Sequence, residues 1–196
     1  MSIVSSFQVF LNEVVPLSDV ELSQTMKYFK SVTLQKGEFF VQAGSTCSRA
    51  AFIGTGILRT FYMNEKGEDT SYCFCTENKL TTSFKSFVSQ TESSLSIQAL
   101  EKSELLEINY SDLQELYATI PAWQAIGRIL VEKEFLVMEK YASTLNRETA
   151  KEKYLRLLSD QPSIIRRASL QHIASYLGVS RETLSRIRNQ AATSIL

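Results

Sequence analysis

Two periodicities divide the chain. Seven short runs rich in β-branched and aromatic residues (31–35, 39–42, 50–53, 57–63, 69–75, 95–100 and 105–109) are parted by turns, with Gly37, Gly44, Gly54, Gly56 and Gly67 among them. Short strands at such regular spacing predict an antiparallel sandwich or barrel. Ahead of them, Ser18-Asp19-Val20-Glu21 has the spacing of a capping box, with Leu17 and Leu22 placed as a hydrophobic staple. That signature predicts a helix running to Phe29. A second capping box, Ser111-Asp112-Leu113-Gln114, marks the change to helical periodicity.

The longest helical stretch follows Pro121, a residue tolerated in a first turn. Residues 122–145 contain no proline and one glycine. They predict a helix of about 36 Å. Val131, Phe135, Met138, Ala142 and Leu145 recur at 4-3-4-3 spacing, while Trp123, Leu130, Val137 and Tyr141 make a second stripe. One stripe is expected on the β-domain and the other on a second copy of the chain. Leu130, Val131, Phe135, Val137, Met138 and Tyr141 are the expected dimer contacts. Residues 146–149 read as a hinge. Thr149-Ala150-Lys151-Glu152 then caps a helix to Ser159, which Pro162 ends.

The last periodic segment reads as two helices across a tight turn. Ser169 is placed to cap the first, whose Ile173, Ala174 and Leu177 face inward. Gly178 supplies the unusual backbone conformation of the turn, and Ser180 caps the second helix. There Leu184 and Ile187 form the buried side. Arg181, Glu182, Ser185, Arg186 and Asn189 gather on the other. This is helix-turn-helix spacing. A plain helical hairpin accounts for Leu184 and Ile187 but not for two arginines on an exposed face near a helix start.

Charge sharpens this reading. The chain has no net charge, yet residues 145–196 carry +5 and the other residues −5. A basic end on an acidic body suggests a module for a polyanion. In a major groove an arginine can donate twice to guanine O6 and N7, and a carboxylate can accept from cytosine N4. Arg181, Glu182, Ser185 and Arg186 are therefore candidates for reading bases. Ser169, His172, Ser180, Arg166, Arg167 and Arg188 are candidates for holding phosphates.

Other counts restrict the chemistry. His172 is the single histidine, and Cys47, Cys73 and Cys75 form neither a paired CxxC nor a disulfide framework. Cys73 and Cys75 face one side of a strand as small buried thiols. No multi-histidine metal site can be assembled, so no metal is predicted and a barrel-shaped metalloenzyme is disfavoured. No apolar run approaches the roughly 20 residues of a membrane span, and the first residues lack a signal-peptide pattern. A soluble, cytoplasmic chain with no membrane partner is expected.

Three blocks give the chain a resemblance to the bacterial Crp/Fnr family of transcription regulators over residues 8–190. Lys36-Gly37-Glu38, Ala43-Gly44-Ser45 and Phe52-Ile53-Gly54-Thr55-Gly56 are similar to the family's β-roll glycine pattern. The long helix is the second block. Ser180-Arg181-Glu182-Thr183-Leu184-Ser185-Arg186 resembles the family's recognition helix almost residue for residue and puts Arg181, Glu182 and Arg186 on base-contacting positions. The resemblance implies an α+β fold: a cyclic-nucleotide-binding-like antiparallel β-roll with flanking helices (1–120), a dimerisation helix (121–146) and a helix-turn-helix domain (147–196). It implies a homodimer on a double-stranded DNA operator of dyad symmetry, with RNA polymerase as a further partner and no enzymatic activity. The alternative is an effector-binding β-roll that acts through protein partners without DNA.

The chain departs from the family's best-known members where an effector would sit. Residues 75–80 and 91–96 replace a Gly-Glu pair and an Arg-Ser/Thr pair, and Ser93 stands in the place of the phosphate-binding arginine. A cyclic phosphodiester would lose its charge-assisted partner, so cyclic AMP in the usual manner is not expected. Glu77, Asn78, Ser93 and Ser94 are the candidate pocket residues. The family's iron–sulfur form needs cysteines near the N-terminus, where the first here is Cys47, and its haem form needs ligands that this sensor lacks. No cofactor is predicted and the effector stays open. Only residues 189–196 follow the recognition segment, so a C-terminal wing is expected to be absent or minimal.

Overall fold

The alternating pattern folds as two antiparallel four-stranded sheets facing each other. The structure is a computed structural model and describes residues 2–145 and 147–193. One sheet has the order β1 (Lys30–Leu34), β8 (Ser103–Asn109), β3 (Arg49–Thr55), β6 (Leu80–Thr81). The other has the order β2 (Phe39–Val41), β7 (Ser96–Ala99), β4 (Leu58–Met63), β5 (Asp69–Cys75). Leu34, Val41, Ile53, Leu58, Ile97 and Leu105 bury the space between the sheets. Register is fixed by such pairs as Ile53 with Leu105 and Thr60 with Cys73. All three thiols are free, Cys47 buried and the other two half-buried.

Helices cover the outer face of the first sheet. These are α1 (Ile3–Val14), α2 (Asp19–Met26), α4 (Tyr110–Thr119) and the first turns of α5 (Pro121–Leu145). Phe7 touches the rings of Phe29 and Phe52 at centroid distances of 4.6 and 5.1 Å. Trp123, from α5, packs on Phe29 and donates to Thr25 Oγ1 at 2.8 Å. Gly54 is forced by α1, because a Cβ there would stand 2.4 Å from Ile3 Cγ1.

A third apolar cluster belongs to the C-terminal helices α6 (Ala150–Asp160), α7 (Pro162–Arg167), α8 (Leu170–Leu177) and α9 (Arg181–Thr193). Ile57 and Phe74 of the roll are buried in that same cluster. The helical unit is therefore packed on its own roll.

The observed elements amend the sequence reading in five places. Helix α1, strand β6 and the six-residue helix α3 (Phe84–Ser89) were not expected. The helix from Ser18 forms its capping box but stops at Met26, freeing Phe29 for the aromatic cluster. Ser111 is not a cap: α4 already begins at Tyr110, with Asn109 at its N-cap position. Pro162 ends α6 and also starts α7, where its missing N–H costs nothing. The expected hinge is partly pinned, since Glu148 accepts three hydrogen bonds from Arg156 at 2.9–3.1 Å. Asn146 and residues 194–196 lie outside the described residues, so neither the whole hinge nor the expectation about a wing can be placed.

Candidate nucleic-acid interface

Local rules build the two-helix segment. Ser169 caps α8 by accepting from the His172 amide at 3.1 Å. Gly178 closes the helix at φ 70° and Ser180 opens α9, its hydroxyl accepting from the Thr183 amide at 3.2 Å. Ile173, Ala174 and Leu177 of α8 and Leu184, Ile187 and Ala191 of α9 are buried together. Burying a side chain such as Leu184 contributes about 1.5–3 kcal/mol, which locks the angle between the helices.

The opposite face of α9 is open. Arg181, Glu182, Ser185, Arg186 and Arg188 are all exposed. The carboxyl of Glu182 is held below the usual carboxylate range by a hydrogen bond from its own amide, by Ser180, and by the neighbouring arginines. It is an ionised acceptor at neutral pH. Between two guanidinium groups it gives the helix a donor–acceptor–donor edge, the complement of base edges in a major groove.

The expected phosphate group divides in two. Ser169, Ser180, Arg166 and Arg188 are exposed, with the two serines also serving as caps. Arg167 is not free. Its Nη1 and Nη2 donate to Glu77 at 2.9 and 2.7 Å, and Nε and Nη2 donate to Glu101 at 3.3 and 2.5 Å. His172 is half-buried, its Nδ1 has no partner, and burial depresses its pKa. Arg167 is engaged by the roll and His172 is half-buried in this arrangement, contrary to a purely phosphate-facing role.

The long helix divides along its length rather than by stripe. Trp123 and Ile126 are core, and Leu130 is half-buried against them. Beyond that point the apolar residues turn outward: Val131 is 50% exposed, Phe135 68%, Leu136 62%, Val137 59% and Met138 55%. Leu136 is exposed here as well, on another side of the helix from Val131 and Phe135, although the spacing did not single it out. Tyr141 is half-buried and Ala142 exposed. The side chain of Leu145 lies outside the described residues.

The four candidate pocket residues do not converge. Ser93 is buried, hydrogen-bonded to the Ser83 hydroxyl at 2.7 Å and to Leu95 O, while Ser94 points to solvent. Asn78 holds a left-handed turn at φ 61° and donates its amide to Ile53 O. Glu77 faces the helical unit and accepts from the Gly56 amide at 2.9 Å. The side chains of Glu77 and Ser93 are thus occupied by the fold, and the four are not gathered round a ligand space. A cleft of about 410 Å³ lies elsewhere, walled by Phe40, Gln42, Ser45, Arg49, Glu107 and Asn109. Its Arg49 is paired with Glu107 at 3.0 Å and stacks over Phe40, which leaves little net charge.

A buried arginine on the β4–β5 hairpin had no signature in the spacing. Arg59 is 1% exposed, and all its nitrogens are used: Nε to Ser71 Oγ at 2.8 Å, Nη1 and Nη2 to Asp69 at 3.2 and 2.5 Å. Its guanidinium also lies over the Phe61 ring. Asp69, pulled below its ordinary pKa by Arg59, presents its carbonyl to the Ser175 hydroxyl of α8 at 3.1 Å. Among the described residues no group of three or more His, Cys, Asp or Glu side chains could hold a metal ion. No described helix is long and apolar enough to cross a membrane.

Comparison with known proteins follows this division. Residues 31–119 match the cyclic nucleotide-binding domain. The transcriptional activator protein Anr of Pseudomonas protegens is 26% identical over 165 residues, covering 79% of this chain and 67% of that protein. The catabolite activator protein of Thermus thermophilus superposes with a TM-score of 0.59 at 20% identity, over 94% of this chain and 87% of that one. CLP of Xanthomonas campestris, a global regulator responsive to c-di-GMP, gives a TM-score of 0.68 at 17% identity, over 91% and 94%.

Proposed function

We propose that the chain is a transcription regulator of the Crp/Fnr type that acts as a homodimer on double-stranded DNA, a reading supported by the match of its roll and by its likeness to Anr. One observation carries the proposal. The polar face of α9 is fully open while its apolar face is locked by a buried core, so Arg181, Glu182, Ser185 and Arg186 are presented on a rigid, capped rod. In this reading those four residues read base edges. Ser169, Ser180, Arg166 and Arg188 position the phosphates.

The exposed apolar stretch from Val131 to Met138 supports a dimer, because Val131, Phe135 and Met138 share one side of the helix and call for a cover. Two copies joined there would present two recognition helices to half-sites about 34 Å apart, on an operator with dyad symmetry. We assign residues 1–120 to a sensor roll, 121–146 to dimerisation and 147–196 to DNA, with RNA polymerase as a further partner. Ser93 is committed to Ser83 and Leu95. The roll is accordingly read as not binding cyclic AMP in the usual way.

Selection of a preferred duplex from a random pool, followed by fluorescence anisotropy, tests the assignment. Salt should weaken binding steeply. A preference that survives unchanged in both R181A and R186A would remove α9 as the reader.

A further inference from the structure

The helix-turn-helix unit is fastened to its own roll by contacts that its DNA-binding role does not need. Arg167, two residues before the cap of α8, is shared between Glu77 after β5 and Glu101 after β7. Ser175 bridges to the β5 edge, accepting from the Ser71 amide at 2.9 Å and donating to Asp69 O. Tyr176 meets the Phe74 ring at a tilt, with a centroid distance of 5.6 Å. Positions 172, 175 and 176 lie on one side of α8. That side is turned to β5, while the recognition face of α9 is turned away.

The electrostatics of the Arg167 cluster set its direction. One guanidinium holds two carboxylates, so the cluster carries a net negative charge beside a helix pair meant for a polyanion. Its base is rigid: Glu77 also takes the Gly56 amide, and Gly56 sits at φ 106° with Ser103 where a Cβ would be. A DNA phosphate approaching Arg167 would meet the two carboxylates beside its guanidinium, and an Arg167 turned to that phosphate would leave them unneutralised. Duplex and roll compete for the same guanidinium.

We infer that Arg167, Glu77 and Glu101 form an intrachain latch that holds the helix-turn-helix unit on the β-roll and opposes DNA binding. The inference rests on the DNA-binding reading above and adds to it a regulatory contact. Any signal that moves β5 or the turn carrying Glu101 shifts the population of released, DNA-competent protein.

The test uses the full chain as parent, E77Q/E101Q and R167Q. The probe is a mixed-sequence duplex of about 40 base pairs, long enough for two half-sites one turn apart. Hydrogen exchange at the Ser71 amide reports undocking independently of DNA. E77Q/E101Q is expected to exchange faster there and to bind the duplex about three- to thirtyfold more tightly at low salt. R167Q should exchange as fast but gain less affinity, having lost a cation. Unchanged exchange overturns the latch. Faster exchange with equal or weaker DNA binding overturns its opposing role, since the docked form would then be the competent one. If no variant and not the parent binds any duplex while exchange accelerates, the DNA-binding reading fails instead, and the docking contact stands.

Discussion

Helices α8 and α9 are built alike and end up in opposite surroundings. Each is capped by a serine, and each turns a small apolar set into the same cluster: Ile173, Ala174 and Leu177 on one, Leu184, Ile187 and Ala191 on the other. Yet His172, Ser175 and Tyr176 of α8 lie against the roll, while Arg181, Glu182, Ser185 and Arg186 of α9 lie in solvent. The difference comes from the neighbour. Strand β5 is a sheet edge with unpaired backbone groups, and the Ser175 hydroxyl satisfies two of them. A helix with short polar side chains can close on such an edge. A helix bearing two arginines and a glutamate cannot do so without stranding charge.

The strongest way to break the contrast is to remove the roll's side of the contact. Phe74→Ala deletes a buried ring shared by β5 and the helical cluster, and should cost about 3–5 kcal/mol in chemical denaturation. Exchange at the Ser71 amide should rise with it. If α8 stays protected, the packing of Tyr154, Leu157 and Ile164 alone holds the unit in place. Next in size are Arg181→Ala and Arg186→Ala. Each should cost about 1–3 kcal/mol of binding to a selected operator and relax preference at one base pair. Neither should alter exchange at Ser71, because both side chains lie on the solvent face of α9, away from the β5 contact. Arg166→Ala should weaken binding evenly across sequences and lower the salt slope by about one.

How much of this contrast was legible in the sequence depends on the range of the interaction. Caps and turns are local, so Ser169, Gly178, Ser180 and the Thr149 box read correctly from spacing alone. Seven strands were visible as alternating runs, whereas β6 has two residues and α3 six, too short to show a period. The open face of α9 followed from helical geometry. The occupation of Arg167 did not, because Glu77 and Glu101 lie 90 and 66 residues away in the chain. Arg59 is the extreme case: an arginine within a strand reads as solvent-facing, and only the fold brings Asp69, Ser71 and Phe61 round it. Candidate pocket residues failed for the same reason, since Ser93 is closed by Ser83 across a turn that pattern cannot reveal.

A smaller effect sharpens the turn that separates the two helices. Gly178 adopts φ 70° with open space around its Cα. Gly178→Ala therefore meets no clash and pays only the left-handed backbone cost, about 1 kcal/mol. Thermal melting should register that loss without any change in the base preferences carried by Arg181 and Arg186.

The smallest expected effect is a pH dependence confined to α8. Burial lowers the pKa of His172 below the ordinary histidine value of about 6.5, with Arg59 and Lys36 also opposing the imidazolium and Asp69 favouring it. A released or unfolded α8 exposes the ring, so that state binds the proton more readily than the docked one. Linkage then fixes the sign. Docking is at full strength above pH 6.5 and weakens as pH falls from there toward the depressed pKa. Asp69 and Glu77 do not confuse this window, because their arginine partners push their pKa values below the ordinary carboxylate range and both stay ionised. Denaturation curves at about pH 7.5 and pH 5.5, either side of the unperturbed histidine, should show the parent losing stability at the lower value and His172→Gln losing less. On α9, Glu182 is likewise held ionised through this range, so its base-reading edge should keep its charge pattern while its neighbour loosens. An equal loss in the parent and the His172→Gln chain would place the titrating group elsewhere and leave the burial of His172 without a consequence for docking.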